Sequence, residues 1–347
     1  VRSVDRRRRL ASKARDVAPC CEIPVAGPAA CRRSLFTKPC FSRCYGFLGR
    51  GARAHTPRRA LAMAPRPPNF KTVVVDVDCD AGVGTLRLNR PRKSNAIDPD
   101  MWLEIPRALA WLDEDEDVRA VVLCAAGKNF CAGIDVSSPE LLDEQLGQTT
   151  RSGETKCAGR EAEAMYRHVR RLQESFTAAE RCRAPVVCAV QGACFGGGVD
   201  LAAACDVRVC AKDAVFCVKE IDLAIVADIG TLQRLPALVG HGRALEMALT
   251  ARAVDADEAR RVGLVTSVCE NHSELLAHAF ALAKAIAAKS PLAAQGTKAA
   301  CLHARDHSVR EGLEFVAQLN ASRLRSADLA EATRARFERR APAFAKL

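Results

Sequence analysis

The chain has 347 residues, of which 49% are apolar, and that fraction excludes disorder over most of its length. The formal net charge of +11 is concentrated in residues 1–67, which carry 16 arginines and lysines against three acids, while the rest of the chain carries 36 basic and 38 acidic side chains. Because residues 68–347 are close to neutral, the net charge no longer supports a nucleic-acid-binding function.

Residues 1–67 have no sustained hydrophobic period and few acids. This composition is typical of a mitochondrial or plastid presequence, and a non-domain extension produced by upstream translation is the alternative. At the other end, Ala345-Lys346-Leu347 is a close variant of the peroxisomal address Ser-Lys-Leu. The two ends therefore predict a mitochondrion, a peroxisome or both. No uncharged apolar run is long enough to predict a membrane span.

Strand and helix patterns alternate through the first half of the remaining chain, and helices dominate the second half. Strands are predicted at 71–78 and 82–89 (a hairpin), 118–124, 185–190 and 262–268. A strand–helix–strand rhythm continues through 201–205, 207–210 and 215–218. Helices are predicted at 99–113, 161–181, 240–250, 255–262, 273–290, 291–303, 308–320 and from 321, and a polar loop at 135–157. The pattern predicts an α/β core followed by a helical region.

Two glycine-containing turns each follow a predicted buried strand. The segment 127–135 (GKNFCAGID) follows strand 118–124, and 191–200 (QGACFGGGVD) follows strand 185–190. Glycines allow close approach to the backbone, and the N–H groups at a helix start favour negative charge. Two such turns after neighbouring strands predict an oxyanion hole. A tight strand–helix junction without a ligand is the alternative for the second turn.

Three carboxylates, Asp200, Glu220 and Asp228, follow the second turn within apolar surroundings. An ionised carboxylate there is costly unless it is paired or used in chemistry. A single one is more often a cap or half of an ion pair, but three behind an oxyanion-type turn favour a functional site.

These segments resemble the crotonase (enoyl-CoA hydratase/isomerase) superfamily from about residue 70 to the last helix. The motifs GGGVDL (196–201), VKE (218–220), ADIGTLQRLP (227–236) and RDHS (305–308) are similar to those of its dienoyl-CoA isomerases. The resemblance implies a ββα spiral core at 68–270 and a C-terminal helical trimerisation region at 271–347. It also implies a homotrimer or homohexamer, an acyl-CoA substrate, and no cofactor or metal beyond the CoA of the substrate.

The resemblance also assigns roles to individual residues. Ala132 and Gly197 would donate backbone N–H groups to the thioester carbonyl. Glu220 would be the acid–base group near C2 of the acyl chain, Asp228 a second one farther along, and Asp200 stands where hydratases carry a glutamate. The residues implied to bind substrate are Ala132, Gly133, Ile134, Asp135, Val136 and Gly197.

The acid set predicts isomerisation of 3,5-dienoyl-CoA to 2,4-dienoyl-CoA in fatty acid β-oxidation. Our hypothesis makes Glu220 the base at C2 and a protonated Asp228 the acid at C6, while Asp200 tunes the pocket or holds a water. An enoyl-CoA hydratase or a Δ3-Δ2-enoyl-CoA isomerase on the same scaffold is one alternative. A non-catalytic crotonase-like protein that binds RNA or a partner is the other.

Overall fold

The computed structural model describes residues 68–137 and 157–347, which belong to one compact unit, Met63–Leu347. The predicted extension 1–67 and most of the predicted loop 135–157 lie outside the described residues. The strands are β1 Val73–Asp78, β2 Val83–Leu88, β3 Ala120–Ala125, β4 Val186–Val190, β5 Ala193–Phe195, β6 Val207–Ala211, β7 Val215–Cys217, β8 Val254–Asp255 and β9 Ser267–Cys269. The helices are α1 Pro99–Glu114, α2 Ala158–Arg181, α3 Gly197–Ala204, α4 Thr231–Val239, α5 His241–Thr250, α6 Ala256–Arg261, α7 His272–Ala287, α8 Pro291–Asp306, α9 Val309–Arg323 and α10 Ala327–Glu338.

The main sheet has six strands in the order β1-β2-β3-β4-β6-β9. Strands β1 and β2 form the predicted antiparallel hairpin, and the other pairs are parallel. Every residue of β3 and β4 is buried because both faces of the sheet are covered. Val121 and Leu123 belong to one hydrophobic cluster, whereas Val122 and Cys124 pack with α7 in a second cluster on the opposite face.

A smaller sheet, β5-β7-β8, receives the continuations of the long strands. Chain segments after β4 and β6 form β5 and β7, and Cys131, after β3, forms a parallel bridge to Cys194 in β5. Ile97, after β2, forms a further parallel bridge to Ile134. The chain thus turns repeatedly through a long strand, a short strand or bridge, and a helix. This architecture and the helical C-terminal region confirm the predicted α/β fold with a crotonase-like ββα spiral core.

One predicted strand is wrong over most of its length. The predicted run 262–268 forms a strand only from Ser267, because its first residues close helix α6 instead. The N–H of Leu264 donates to the carbonyl of Ala259 at 2.9 Å, and Val262 donates to Glu258 at 2.9 Å. The apolar residues here belong to a buried turn. A short apolar run alone does not distinguish a buried turn from a strand.

The C-terminal helices are attached to the core through a buried ion pair. Lys298 of α8 is 8% exposed, and its Nζ lies 2.7 Å from Oδ2 of Asp206 while it donates to the carbonyls of Ala179 and Ala184. In the part of the chain that the structure describes, no single helix has the length and hydropathy to cross a bilayer; α7 and α8 reach that threshold only together, with a 108° bend between them.

Candidate active site

Buried side-chain amides hold the two glycine-containing turns in place. Asn95 is fully buried, and its Nδ2 donates to the carbonyls of Ala126 at 2.9 Å and Asn129 at 2.8 Å. Gln191 donates from Nε2 to the carbonyl of Ala125 at 2.9 Å, which fastens the second turn to the end of β3. Both turns are therefore fixed to the same edge of the sheet.

The two turns approach each other closely at Gly133. This residue has φ +93°, and a Cβ added to it would lie 3.1 Å from the carbonyl oxygen of Phe195. A side chain is therefore excluded by both backbone conformation and space. The contact brings the segment 132–136 beside the start of helix α3 at Gly197.

The N–H of Ala132 cannot serve as the oxyanion donor that the sequence suggested. It donates to the carbonyl of Ser94 at 3.0 Å, inside the protein. The neighbouring Ile134 has the required property. The carbonyl of Gly133 and the N–H of Asp135 both bond to Ile97, at 2.8 and 2.9 Å. Because backbone groups alternate in direction along an extended segment, the N–H of Ile134 points to the opposite side.

The N–H of Gly197 is the second candidate donor. Gly197 is the first residue of α3, where N–H groups have no partner within the helix. Within residues 68–137 and 157–347, neither this N–H nor that of Ile134 has a hydrogen-bond acceptor. Both residues line one cavity of about 380 Å³. The hydrogen-bond pattern therefore favours Ile134 and Gly197, rather than the predicted pair Ala132 and Gly197, as the candidate oxyanion donors.

The same cavity brings together all three carboxylates predicted from the sequence, Asp200, Glu220 and Asp228. Ala132, Gly133, Ile134 and Val136 of the first turn also line it. Asp135 does not. Its carboxylate is 4% exposed and lies 3.0 Å from the guanidinium of Arg90, so it stabilises the turn, and its contact with substrate stays a prediction.

Asp200 is buried and Glu220 is partly buried, and each carboxyl affects the pKa of the other. Oδ1 of Asp200 accepts the N–H of Thr231 at 2.6 Å, but Oδ2 of Asp200 and Oε2 of Glu220 have no donor among the described residues. Burial, then the charge of Asp200, raises the pKa of Glu220 to about 8. Burial likewise raises the pKa of Asp200. The pair therefore holds a proton at neutral pH.

Asp228 lies on a different segment, in the loop before α4. Burial raises the pKa of its carboxyl, opposed by a hydrogen bond from its own backbone and by the charge of His168. His168, on α2, lines the same cavity and was missed in the sequence. A signal was present, since Met165, His168, Val169 and Leu172 have i, i+3, i+4, i+7 spacing and all line the cavity.

Cys131 belongs to the first turn and is fully buried. Burial raises the pKa of its thiol to about 12, so it remains protonated and is a poor nucleophile. Similar burial raises the pKa of Cys182 to about 12 and that of Cys124 to about 11. In the described ranges no group of His, Cys, Asp and Glu side chains is arranged to hold a metal ion.

Two backbone donors without a partner among the described residues line the same cavity as three carboxyls of raised pKa, and this combination suits one kind of chemistry. They stabilise an oxyanion while protons move on neighbouring carbons, which is the task of an enzyme that forms and reprotonates an enolate. The chain belongs to the enoyl-CoA hydratase/isomerase family, whose sequence model matches residues 78–346.

Relatives of known name agree with this membership. The chain is 46% identical over 280 residues to the peroxisomal Delta(3,5)-Delta(2,4)-dienoyl-CoA isomerase of Arabidopsis thaliana, covering 80% of this chain and 99% of the relative. It is 40% identical to the mitochondrial enzyme of that name from Homo sapiens, covering 83% and 86%. The crystal structure of an enoyl-CoA hydratase from Bacillus anthracis superposes with a TM-score of 0.69 at 30% identity, covering 79% of this chain and 99% of that one.

Proposed function

We propose that this protein isomerises 3,5-dienoyl-CoA to 2,4-dienoyl-CoA in fatty acid β-oxidation. The observation that carries the proposal is the placement of a third carboxyl, Asp228, in the same cavity as the Asp200–Glu220 pair. Isomerisation requires two proton-transfer groups separated along the acyl chain, and this cavity offers them. The relatives from Arabidopsis thaliana and Homo sapiens, both named for this reaction, support it.

The reaction balances when the site exchanges protons with solvent once in each cycle, because Glu220 ends the two transfers protonated and Asp228 ends them ionised. Glu220 takes a proton from C2, and the electron pair moves into a conjugated enolate whose oxygen accepts from the N–H groups of Ile134 and Gly197. Asp228 gives a proton to C6, which leaves double bonds at C2 and C4. Asp200 tunes Glu220. No electrons are exchanged, so we propose that no cofactor is required and that CoA enters as part of the substrate.

We further propose a homotrimer or homohexamer in which the C-terminal helical region 271–347 contributes to the contacts between subunits. The location follows from the relatives. The peroxisomal relative from Arabidopsis thaliana supports a peroxisome, and the mitochondrial relative from Homo sapiens supports a mitochondrion. The function therefore belongs in a peroxisome, a mitochondrion or both.

A substrate panel tests the activity. With the purified full chain, we expect 3,5-dienoyl-CoA to gain the ultraviolet absorbance of the 2,4-diene at a kcat/KM at least about a hundredfold above that for hydration of 2-enoyl-CoA. The same panel includes 3-enoyl-CoA. Preferred turnover of 2-enoyl-CoA or 3-enoyl-CoA would identify a hydratase or a Δ3-Δ2-enoyl-CoA isomerase instead. Absence of all three activities, together with retained RNA or protein binding, would favour a non-catalytic role.

The carboxyl pair makes the reaction sensitive to pH. Because Glu220 must be ionised to act as a base and its pKa is raised to about 8, we expect kcat/KM to rise between about pH 6 and pH 8. Asp200→Asn removes a negative charge beside Glu220, which lowers the pKa of Glu220 and moves the rising limb to lower pH. A pH–rate profile of both proteins measures the shift. If the rising part of the profile stays at the same pH in Asp200→Asn, then Asp200 does not raise the pKa of Glu220.

A further inference from the structure

The loop that carries Asp228 has few backbone hydrogen bonds of its own. It lies between a 3-10 turn, Glu220–Leu223, and helix α4. Ile225 is fastened to this turn, since its N–H donates to the carbonyl of Glu220 at 3.1 Å. From 226 to 229, no backbone group bonds to another backbone group in the described part of the chain. The position of Asp228 therefore depends on side chains from elsewhere.

Helix α2 supplies one of these side chains. Gln173 donates from Nε2 to the carbonyl of Asp228 at 2.7 Å. The other end of its amide is also fixed, because Arg170 donates from Nη1 to Oε1 of Gln173 at 2.8 Å. Since the amide oxygen already accepts from Arg170, its NH2 group faces the carbonyl of Asp228.

This contact acts on the backbone of the residue whose carboxyl performs the chemistry. A fixed carbonyl restricts the Cα of Asp228 and hence the direction of its side chain. Leu172, next to Gln173, lines the cavity, so one helix provides both the wall along the acyl chain and the anchor of the acid. A displacement of about 1 Å in a catalytic group can cost about a hundredfold in rate.

We propose that Gln173 is a positioning residue of the isomerase: its side-chain amide holds Asp228 where its carboxyl reaches C6 of the substrate. The proposal rests on the proposed function. It concerns only the second proton transfer, since the side-chain amide of Gln173 bonds to Asp228 and Arg170 and, among the described residues, forms no hydrogen bond with Glu220, the base at C2. Loss of the Gln173 amide should therefore slow proton delivery to C6 without slowing proton removal from C2.

Gln173→Leu, which keeps the size but removes the donor, tests this separation. Two rates are measured with 3,5-dienoyl-CoA in deuterated water: formation of the 2,4-diene, and deuterium uptake at C2 of the recovered substrate. We expect diene formation to fall at least about tenfold with KM within about twofold, while C2 exchange stays within about twofold of wild type. Arg167→Leu is the matched control, because Arg167 lies on the exposed face of α2 and, among the residues that the structure describes, pairs only with Glu163.

A second variant keeps the test valid if Gln173→Leu folds poorly. Arg170→Gln removes the group that orients the Gln173 amide, at a side chain that is 55% exposed, and should give a smaller effect of the same kind. Equal losses of diene formation and C2 exchange, or no loss of either, would overturn the positioning role. A wild-type protein that exchanges or isomerises nothing would instead contradict the proposed function itself.

Discussion

Glu220→Gln is expected to lower the kcat for isomerisation of 3,5-dienoyl-CoA by about a thousandfold, within the range that general bases contribute. The amide keeps the shape of the side chain but cannot accept the C2 proton. Deuterium uptake at C2 should disappear together with product formation, because both need the same proton abstraction. Stopped assays of the diene and mass spectrometry of the recovered substrate measure the two losses.

Lower folding stability would not explain the loss of activity in Glu220→Gln. The pKa of Glu220 is raised far above its ordinary value, so the folded state holds a proton that the unfolded chain has lost. Wild-type stability therefore falls as pH rises from about 4.5 to about 8, and an amide escapes this penalty. At pH 9 the midpoint of thermal unfolding of the variant should equal or exceed that of wild type. A Glu220→Gln protein with full turnover would remove Glu220 from the mechanism.

Asp228→Asn is expected to slow product formation but preserve deuterium uptake at C2, whereas Glu220→Gln abolishes both. Formation of 2,4-dienoyl-CoA should fall by about a hundredfold or more, since the amide has no acidic proton for C6. Deuterium uptake at C2 should continue, because Glu220 and both backbone donors are unchanged. Nuclear magnetic resonance of substrate and product in deuterated water distinguishes the two positions.

Asp222→Asn is the matched control for both acids. Asp222 lines the same cavity, but its carboxylate is 49% exposed and pairs with Lys219 at 2.7 Å, so its loss should change kcat less than about twofold. If Asp228→Asn lost C2 exchange as well, the two acids would not act at separate carbons. A control as damaging as the test variant would point to the charge of the cavity mouth instead.

Much of the site could be predicted because its carboxylates follow short, recognisable motifs. Asp200, Glu220 and Asp228 follow the glycine-rich turn and the next strand, and apolar neighbours indicated that they are buried. The hairpin and the wholly buried strand β3 were equally clear, since their patterns depend on nearby residues only.

The remaining features depend on contacts between segments that are distant in sequence. Whether Ala132 or Ile134 presents a free N–H is decided by Ser94 and Ile97, which bond to one side of the turn. The ion pair between Asp135 and Arg90 could not be predicted, because the two residues are far apart in the sequence. His168 was hidden for a related reason, because an amphipathic pattern shows that a helix has an inner face but not what that face covers.

The buried thiols give the protein chemical durability. Oxidants such as hydrogen peroxide attack thiolates. Because the pKa of Cys131 is raised, very little of its thiol is ionised within the first turn. A sulfenic acid at this position would displace the backbone of Ile134. The oxyanion hole would then be disrupted while the three carboxylates stayed in place. A compartment that produces peroxide could therefore host this enzyme without a dedicated repair step for its core.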